Sequence, residues 1–94
     1  MADAKLTPEW CEAEATVWAE DDRPRMAQAL RLAALALRRH EAMRAERAAF
    51  FAMDGRAESQ AAWGRLADAV LDARRAMIAY AHEITRPSAA EEER

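Results

Sequence analysis

The sequence predicts an all-α fold, in which a short N-terminal helix precedes a long antiparallel two-helix hairpin of coiled-coil type, completed into a bundle by oligomerisation. Three observations predict it. The 94 residues include only two Gly and three Pro. Helix-forming residues fill the stretches between these breakers, and the apolar residues recur at helical spacing without strand alternation. A chain of this length and composition corresponds to one domain, which we place at residues 7–86.

Large apolar side chains are scarce in this sequence. Of its 49 apolar residues, 26 are Ala, which leaves 23 larger ones to build a core. A domain of this size buries only about 60 to 65% of the surface that its unfolded chain exposes. We therefore expect the chain to gain stability by associating, as a homo-oligomer of two or more copies.

The first helix is predicted over residues 8–20. Thr7 can cap its N-terminus, Pro8 suits the first turn, and Glu9 complements the positive end of the helix dipole. The segment 21–24, Asp-Asp-Arg-Pro, predicts a corner, because a proline disfavours the α conformation in the residue before it. The helix is acidic apart from one apolar stripe, whose large members are Trp10, Val17 and Trp18.

The second helix is predicted over residues 24–53, a stretch with no Gly and no proline after Pro24. Its large apolar residues fall on two nearly opposite sides, so both sides need partners. The first side carries Met26, Leu30, Ala33, Leu37 and Phe51, and its heptad pattern continues through His40, Arg44 and Arg47. The reverse side carries Leu32, Leu35, Met43, Phe50 and Met53.

The third helix is predicted over residues 59–85, after a turn at Asp54-Gly55 and with Ser59 as a candidate N-cap. Three unbroken heptads run along it, at Trp63, Leu66, Val70, Ala73, Met77, Tyr80 and Ile84. A row of small residues that lets another helix approach closely flanks these heptads, at Ala62, Ala69 and Ala76. We expect the heptads to pack antiparallel on the second helix, and the sequence leaves open whether they meet its first side or its reverse side. The expected register pairs Phe51 with Trp63, Leu37 with Met77 and Leu30 with Ile84.

Charge is distributed unevenly along the chain, although the net charge is only −3. Residues 1–22 carry −6, residues 23–56 carry +5, residues 57–86 are balanced, and residues 87–94 carry −2. We expect the acidic first helix to lie against the basic second helix. Residues 1–6 are interpreted as a leader and residues 87–94 as a disordered acidic tail.

Catalytic chemistry is not expected from this sequence, and neither is a cofactor. Cys11 has no histidine near it and lies among acids that raise a thiol pKa, so it does not fit a nucleophile. The two histidines, His40 and His82, lack the Glu-x-x-His spacing of di-iron bundles, and no Gly-rich phosphate loop is present. A metal-binding bundle, our second alternative, would need ligands from different subunits. A single cysteine and the absence of an apolar leader or membrane-length segment favour a cytoplasmic protein that does not insert into membranes.

These observations predict a non-catalytic helical module for oligomerisation or protein interaction, an adaptor. Its predicted interface and core residues are Trp10, Val17, Trp18, Met26, Leu30, Leu37, Phe51, Trp63, Leu66, Val70, Met77, Tyr80 and Ile84.

The alternative is an adaptor associated with DNA. In layout alone, a helical hairpin with an acidic tail resembles the oligomerisation region of the small terminase subunits of tailed phages, which form rings beside the packaging motor. That resemblance implies contact with nucleic acid, which we consider possible and do not favour. The candidate phosphate contacts are Arg31, Arg38, Arg39, Arg44 and Arg47.

Overall fold

A computed structural model describes residues 6–52 and 59–87 of the chain. Its elements are three helices: α1 (Pro8–Glu20), α2 (Pro24–Ala52) and α3 (Ser59–Thr85). The all-α fold class is confirmed, since the described residues form no other element. The leader up to Lys5, the turn at Asp54-Gly55 and the tail from Ser88 onward lie outside the described residues, and so does Met53, the last residue expected in the second helix.

The two ends of α1 are formed by local hydrogen bonds that the sequence indicates. Thr7 Oγ1 accepts a hydrogen bond from the backbone N–H of Trp10 at 3.1 Å, which is the predicted N-cap. At the other end, the backbone N–H of Arg23 donates to the carbonyl of Trp18 at 2.8 Å. Asp22 between them has a φ of 59°, in the left-handed region where glycine usually closes a helix. The chain thus turns a tight corner directly into Pro24, the first residue of α2.

Helix α2 lies in the middle of the described structure, and α1 and α3 each pack against it. The described parts of α1 and α3 do not contact each other. The row of α2 that faces α1 includes the buried Ala27 and Ala34, whereas the buried Ala36 lies on the opposite side, towards α3. The row that α1 covers belongs to neither of the two apolar sides expected on this helix: Leu37 of the first side lines a groove with α3, and Phe50 of the reverse side also contacts α3.

The seam between α2 and α3 differs from the expected one in rotation. The buried residues of α3 are Ala62 and Ala76, from the alanine row that was expected only to flank the heptads. Four of the heptad residues, expected in the seam, are instead between 43% and 60% exposed: Trp63, Val70, Met77 and Ile84. The alanine row allows the two backbones to approach closely, whereas these bulky side chains would hold them apart. Helix α3 is thus turned so that its small residues meet α2.

The matching correction on α2 concerns its two phenylalanines. Phe50 contacts Trp63, with ring centroids 5.2 Å apart, while Phe51 is 70% exposed. Phe50 of the reverse side thus meets α3, while Leu37 of the first side lines a groove with Met77, so α3 packs between the two expected sides of α2. The expected pairing of Phe51 with Trp63 is wrong by one residue. Arg47 lies beside Phe51 at the surface, with its guanidinium 5.7 Å from the ring centroid, so no arginine is buried in the seam there.

Two ion pairs mark the antiparallel alignment of α2 and α3. Arg65 Nε lies 3.7 Å from Glu46 Oε2, and Arg25 Nε lies 3.8 Å from Glu83 Oε2. The guanidinium of Arg25 also donates hydrogen bonds to three carbonyl oxygens at the end of α3, those of Glu83 (3.3 Å), Arg86 (2.6 Å) and Pro87 (2.9 Å). Glu83 lies in the last turn of α3, where helix carbonyls lack intrahelical partners, and Arg86 and Pro87 follow directly after it, so Arg25 joins the start of α2 to the end of α3.

The expected contact between the acidic first helix and the basic second helix is confirmed. Arg38 on α2 lies 2.6 Å from Glu12 Oε1 and 3.6 Å from Glu9 Oε2, both on α1. The hydrogen bond to Glu12, followed by the nearby negative charges, raises the pKa of Arg38. All three side chains are exposed, so these pairs orient α1 on α2 and add little to stability.

Cys11 is the largest fully buried side chain of the described structure, and it lies in the face of α1 that meets α2. Its thiol is free. Burial, assisted by the neighbouring charge of Glu12, raises the pKa of this thiol. Cys11 therefore acts as a small apolar core residue of the contact between α1 and α2.

Enlarging the alanine row of α3 is expected to destabilise the fold. Ala76→Leu introduces three carbon atoms where α3 meets α2, and we expect it to lower the free energy of unfolding by about 1–3 kcal/mol. Ala79→Leu is the control, because Ala79 is exposed on the same helix; its effect should stay within about 0.5 kcal/mol. Urea denaturation followed by circular dichroism, at one protein concentration, measures both. Equal effects of the two changes would contradict the seam described above.

The buried thiol predicts a loss of stability at alkaline pH. In the unfolded chain Cys11 ionises from about pH 8.5, whereas in the folded chain burial raises the pKa of the thiol, so that it ionises only at higher pH. The free energy of unfolding of the wild type should therefore fall, relative to that of Cys11→Ala, as the pH rises above that value. Denaturation of both proteins between neutral pH and about pH 10 measures the difference. Parallel pH profiles would show that Cys11 is not buried as described.

Candidate interaction surface

The two sides of the α2–α3 seam differ in chemistry. On one side, an open groove of about 230 Å³ is lined mainly by apolar residues of both helices, including Leu37, Met77 and Tyr80. Leu6, just before α1, lines the same groove. On the other side, a groove of about 380 Å³ is lined by charged residues, including Arg39, Asp68, Asp72 and the Arg65–Glu46 pair. We call these sides the apolar face and the polar face.

The apolar face continues along the whole described length of α3. Near its end, Met26 and Ile84 line one groove together with the charged residues Arg25, Glu83 and Arg86. Near its start, an open groove of about 390 Å³ is lined by Trp63, Leu66, Ala67, Val70 and Leu71. The exposed large residues of α3 on this face and its outer edge are Trp63, Val70, Leu71, Met77, Ile78 and Ile84. One continuous apolar strip thus follows the helix.

Helix α1 contributes a second exposed row. Trp10 and Val17 lie seven residues apart on one side of α1, and each is about half exposed. Leu6, in the segment before α1, is also exposed and reaches the apolar groove. The carboxylates of Glu9 and Glu12 bind Arg38 of α2.

The amount of exposed apolar surface on α3 is large for one helix. Six large side chains, each about half exposed, present on the order of 500 Å² of apolar surface on α3 alone. This is at the upper end of what a single protein chain usually exposes, and contiguous patches of this size mark binding surfaces. The apolar face is therefore the best candidate for a functional site in the described residues.

The predicted interface and core residues divide into two groups in the structure. Eight are exposed: Trp10, Val17, Met26, Phe51, Trp63, Val70, Met77 and Ile84. Five are half-buried: Trp18, Leu30, Leu37, Leu66 and Tyr80. None of them is fully buried, so the intrachain core is formed instead by small residues, chiefly alanines and Cys11.

Three exposed residues of the surface were missed by sequence reasoning: Leu6, Leu71 and Ile78. The position of each residue relative to the predicted residues could have indicated it. Leu6 directly precedes the predicted N-cap Thr7, a position where an apolar residue often packs against the start of a helix. Leu71 and Ile78 directly follow the heptad positions Val70 and Met77, so they widen the strip on the side away from α2.

The candidate phosphate-binding arginines are exposed but not gathered into a free basic surface. Arg38 binds Glu9 and Glu12, and Arg39 lines the polar groove together with aspartates. Arg47 lies over the Phe51 ring. The two others, Arg31 and Arg44, are exposed on α2.

Neither a metal site nor a membrane span is found among the described residues. Among residues 6–52 and 59–87, no three His, Cys, Asp or Glu side chains are grouped as metal ligands. His40 and His82 are both exposed. None of the three described helices combines the length and the hydropathy that a membrane span requires. Comparisons of the chain with protein-family models, with curated proteins and with solved structures find no match.

Proposed function

We propose that this chain is a non-catalytic helical interaction module that associates with copies of itself through the apolar face. The observation that carries the proposal is the strip of six large, half-exposed apolar side chains along α3. Burying such a strip against a second protein surface removes it from water, which is the main driving force of protein association. An adaptor of this kind works by holding chains together.

The size of the apolar face supports self-association in particular. Two copies would contribute on the order of 1,000 Å² from their α3 strips, before the rows of α1 and α2 are included. Stable interfaces bury about 1,200–2,000 Å² in total. The chain also has few large apolar residues, so those left at its surface are a substantial part of what it can bury.

Association with DNA remains the second proposal, and the test below includes it. Its support is the basic charge of residues 23–56. The ion pairs of Arg38 and the aspartates beside Arg39 reduce the phosphate-binding capacity of this segment, so protein association is preferred.

A charge placed in the strip is expected to abolish self-association. Val70→Arg puts a guanidinium into the apolar face, where it would lose its hydration on burial. Ala79→Arg is the matched control, because it adds the same charge at an exposed position of the same helix. Light scattering after size exclusion, over a range of concentrations, should give a multiple of 10.5 kDa for the wild type and the control. Val70→Arg should give the monomer mass while keeping its helical circular dichroism.

Three results would count against the proposal. A wild type that stays monomeric at every concentration would refute self-association. If Val70→Arg associated as the wild type does, the apolar face would not be the contact surface. If the mass increased only on addition of a short DNA duplex, and this increase weakened with salt, the DNA-associated function would replace it.

A further inference from the structure

We infer that the partner of the α3 strip is helix α1 of a second copy, so that two copies meet with each α1 lying on the α3 of the other. This arrangement rests on the proposed self-association and specifies which helices of the two copies meet. It follows from the distribution of charge around the two exposed apolar rows.

The strip of α3 contains one charged position that a partner must accommodate. Arg74 lies four residues after Val70 and four before Ile78, so it falls within the exposed strip. It is exposed in the single chain. A contact between two α3 strips around a two-fold axis near their middle would bring this arginine close to the same arginine of the second copy. Like charges placed together in an interface are destabilising, so α3 is a poor partner for α3.

Helix α1 has the complementary chemistry. Its exposed apolar row is bordered by Glu14 and Glu20, and its 13 residues include four glutamates and no basic residue. Glu9 and Glu12 are occupied by Arg38, which leaves Glu14 and Glu20 to meet a second copy. An α1 laid on a second copy's α3 strip therefore matches apolar residues with apolar residues and places carboxylates near Arg74.

The positions of the helices allow this contact to be reciprocal. Helices α1 and α3 pack on different sides of α2, so Trp10 and Val17 and the strip of α3 stay exposed within one chain; Leu6, before α1, reaches the groove beside Met77. A two-fold axis between the apolar faces of two copies can place each α1 over the partner's α3. The result is a closed dimer with two identical contacts. By length, the 13 residues of α1 span about 20 Å and cover roughly half of α3.

Charge reversal in two separate variants tests this arrangement. The first variant is Arg74→Glu, which makes both rows of a chain acidic. The second is Glu14→Arg combined with Glu20→Arg, which makes both rows basic; Glu20→Arg alone serves if the double variant loses helicity, because Glu20 is exposed. Asp68→Arg is the control, because Asp68 lines the polar groove. Sedimentation gives the dissociation constant of each protein alone and of equimolar mixtures.

We expect each variant alone to associate on the order of tenfold more weakly than the wild type, and the control to be unchanged. Mixing the two variants should restore binding to about the wild-type constant, because each acidic row then meets a basic one. A mixture no tighter than either variant alone would overturn the arrangement and leave self-association standing. So would a second variant that associates as the wild type does, since that result indicates contact between two α3 strips. A wild type that does not associate would instead refute the proposed function itself.

Discussion

The close packing of alanine rows against α2 is the constraint on which the rest of this structure depends. Helices whose facing residues are Ala27, Ala34, Ala36, Ala62 and Ala76 can approach with their backbones near each other, and such a contact has no room for bulky side chains. The large apolar residues of the described structure are therefore half-buried at the edges of the two seams or exposed outside them, and none of them is fully buried. The core of small residues and the exposed apolar surface therefore have the same cause, which is the close approach of the helix backbones.

Electrostatic contacts complement that packing by fixing alignment. Small residues specify the position of neighbouring helices weakly, because one alanine resembles the next. The hydrogen bonds of Arg25 to the end of α3 and the ion pairs of Arg38 with Glu9 and Glu12 each join two helices at one place. Because α2 is joined in this way to each neighbour, both neighbours are held in register, and the α2–α3 seam has one polar face and one apolar face.

Much of the fold was predictable from the sequence, because helix formation and helix ends are local properties. The cap at Thr7 and the corner before Pro24 were read from single residues. The alignment of the hairpin was also nearly right, since Leu37 and Met77 line one groove. The rotation of α3 was not predictable: a heptad pattern marks an apolar stripe, yet it does not say whether the stripe or the alanine row beside it meets the neighbouring helix. For the same reason the apolar residues of the interface could be predicted, but whether each of them is buried or exposed in the single chain could not.

The central claim is that the apolar face becomes covered when copies associate, and tryptophan emission tests it most directly. Trp10 and Trp63 are half exposed on the two apolar rows, whereas Trp18 is half-buried against α2. The measurement is the emission maximum of a Trp18→Phe variant across a dilution series, recorded together with its mass. The account predicts emission at shorter wavelength in the associated state and a shift to longer wavelength as the mass falls to that of one chain. A mass that falls without any shift, or an emission maximum typical of exposed tryptophan at every concentration, would contradict it.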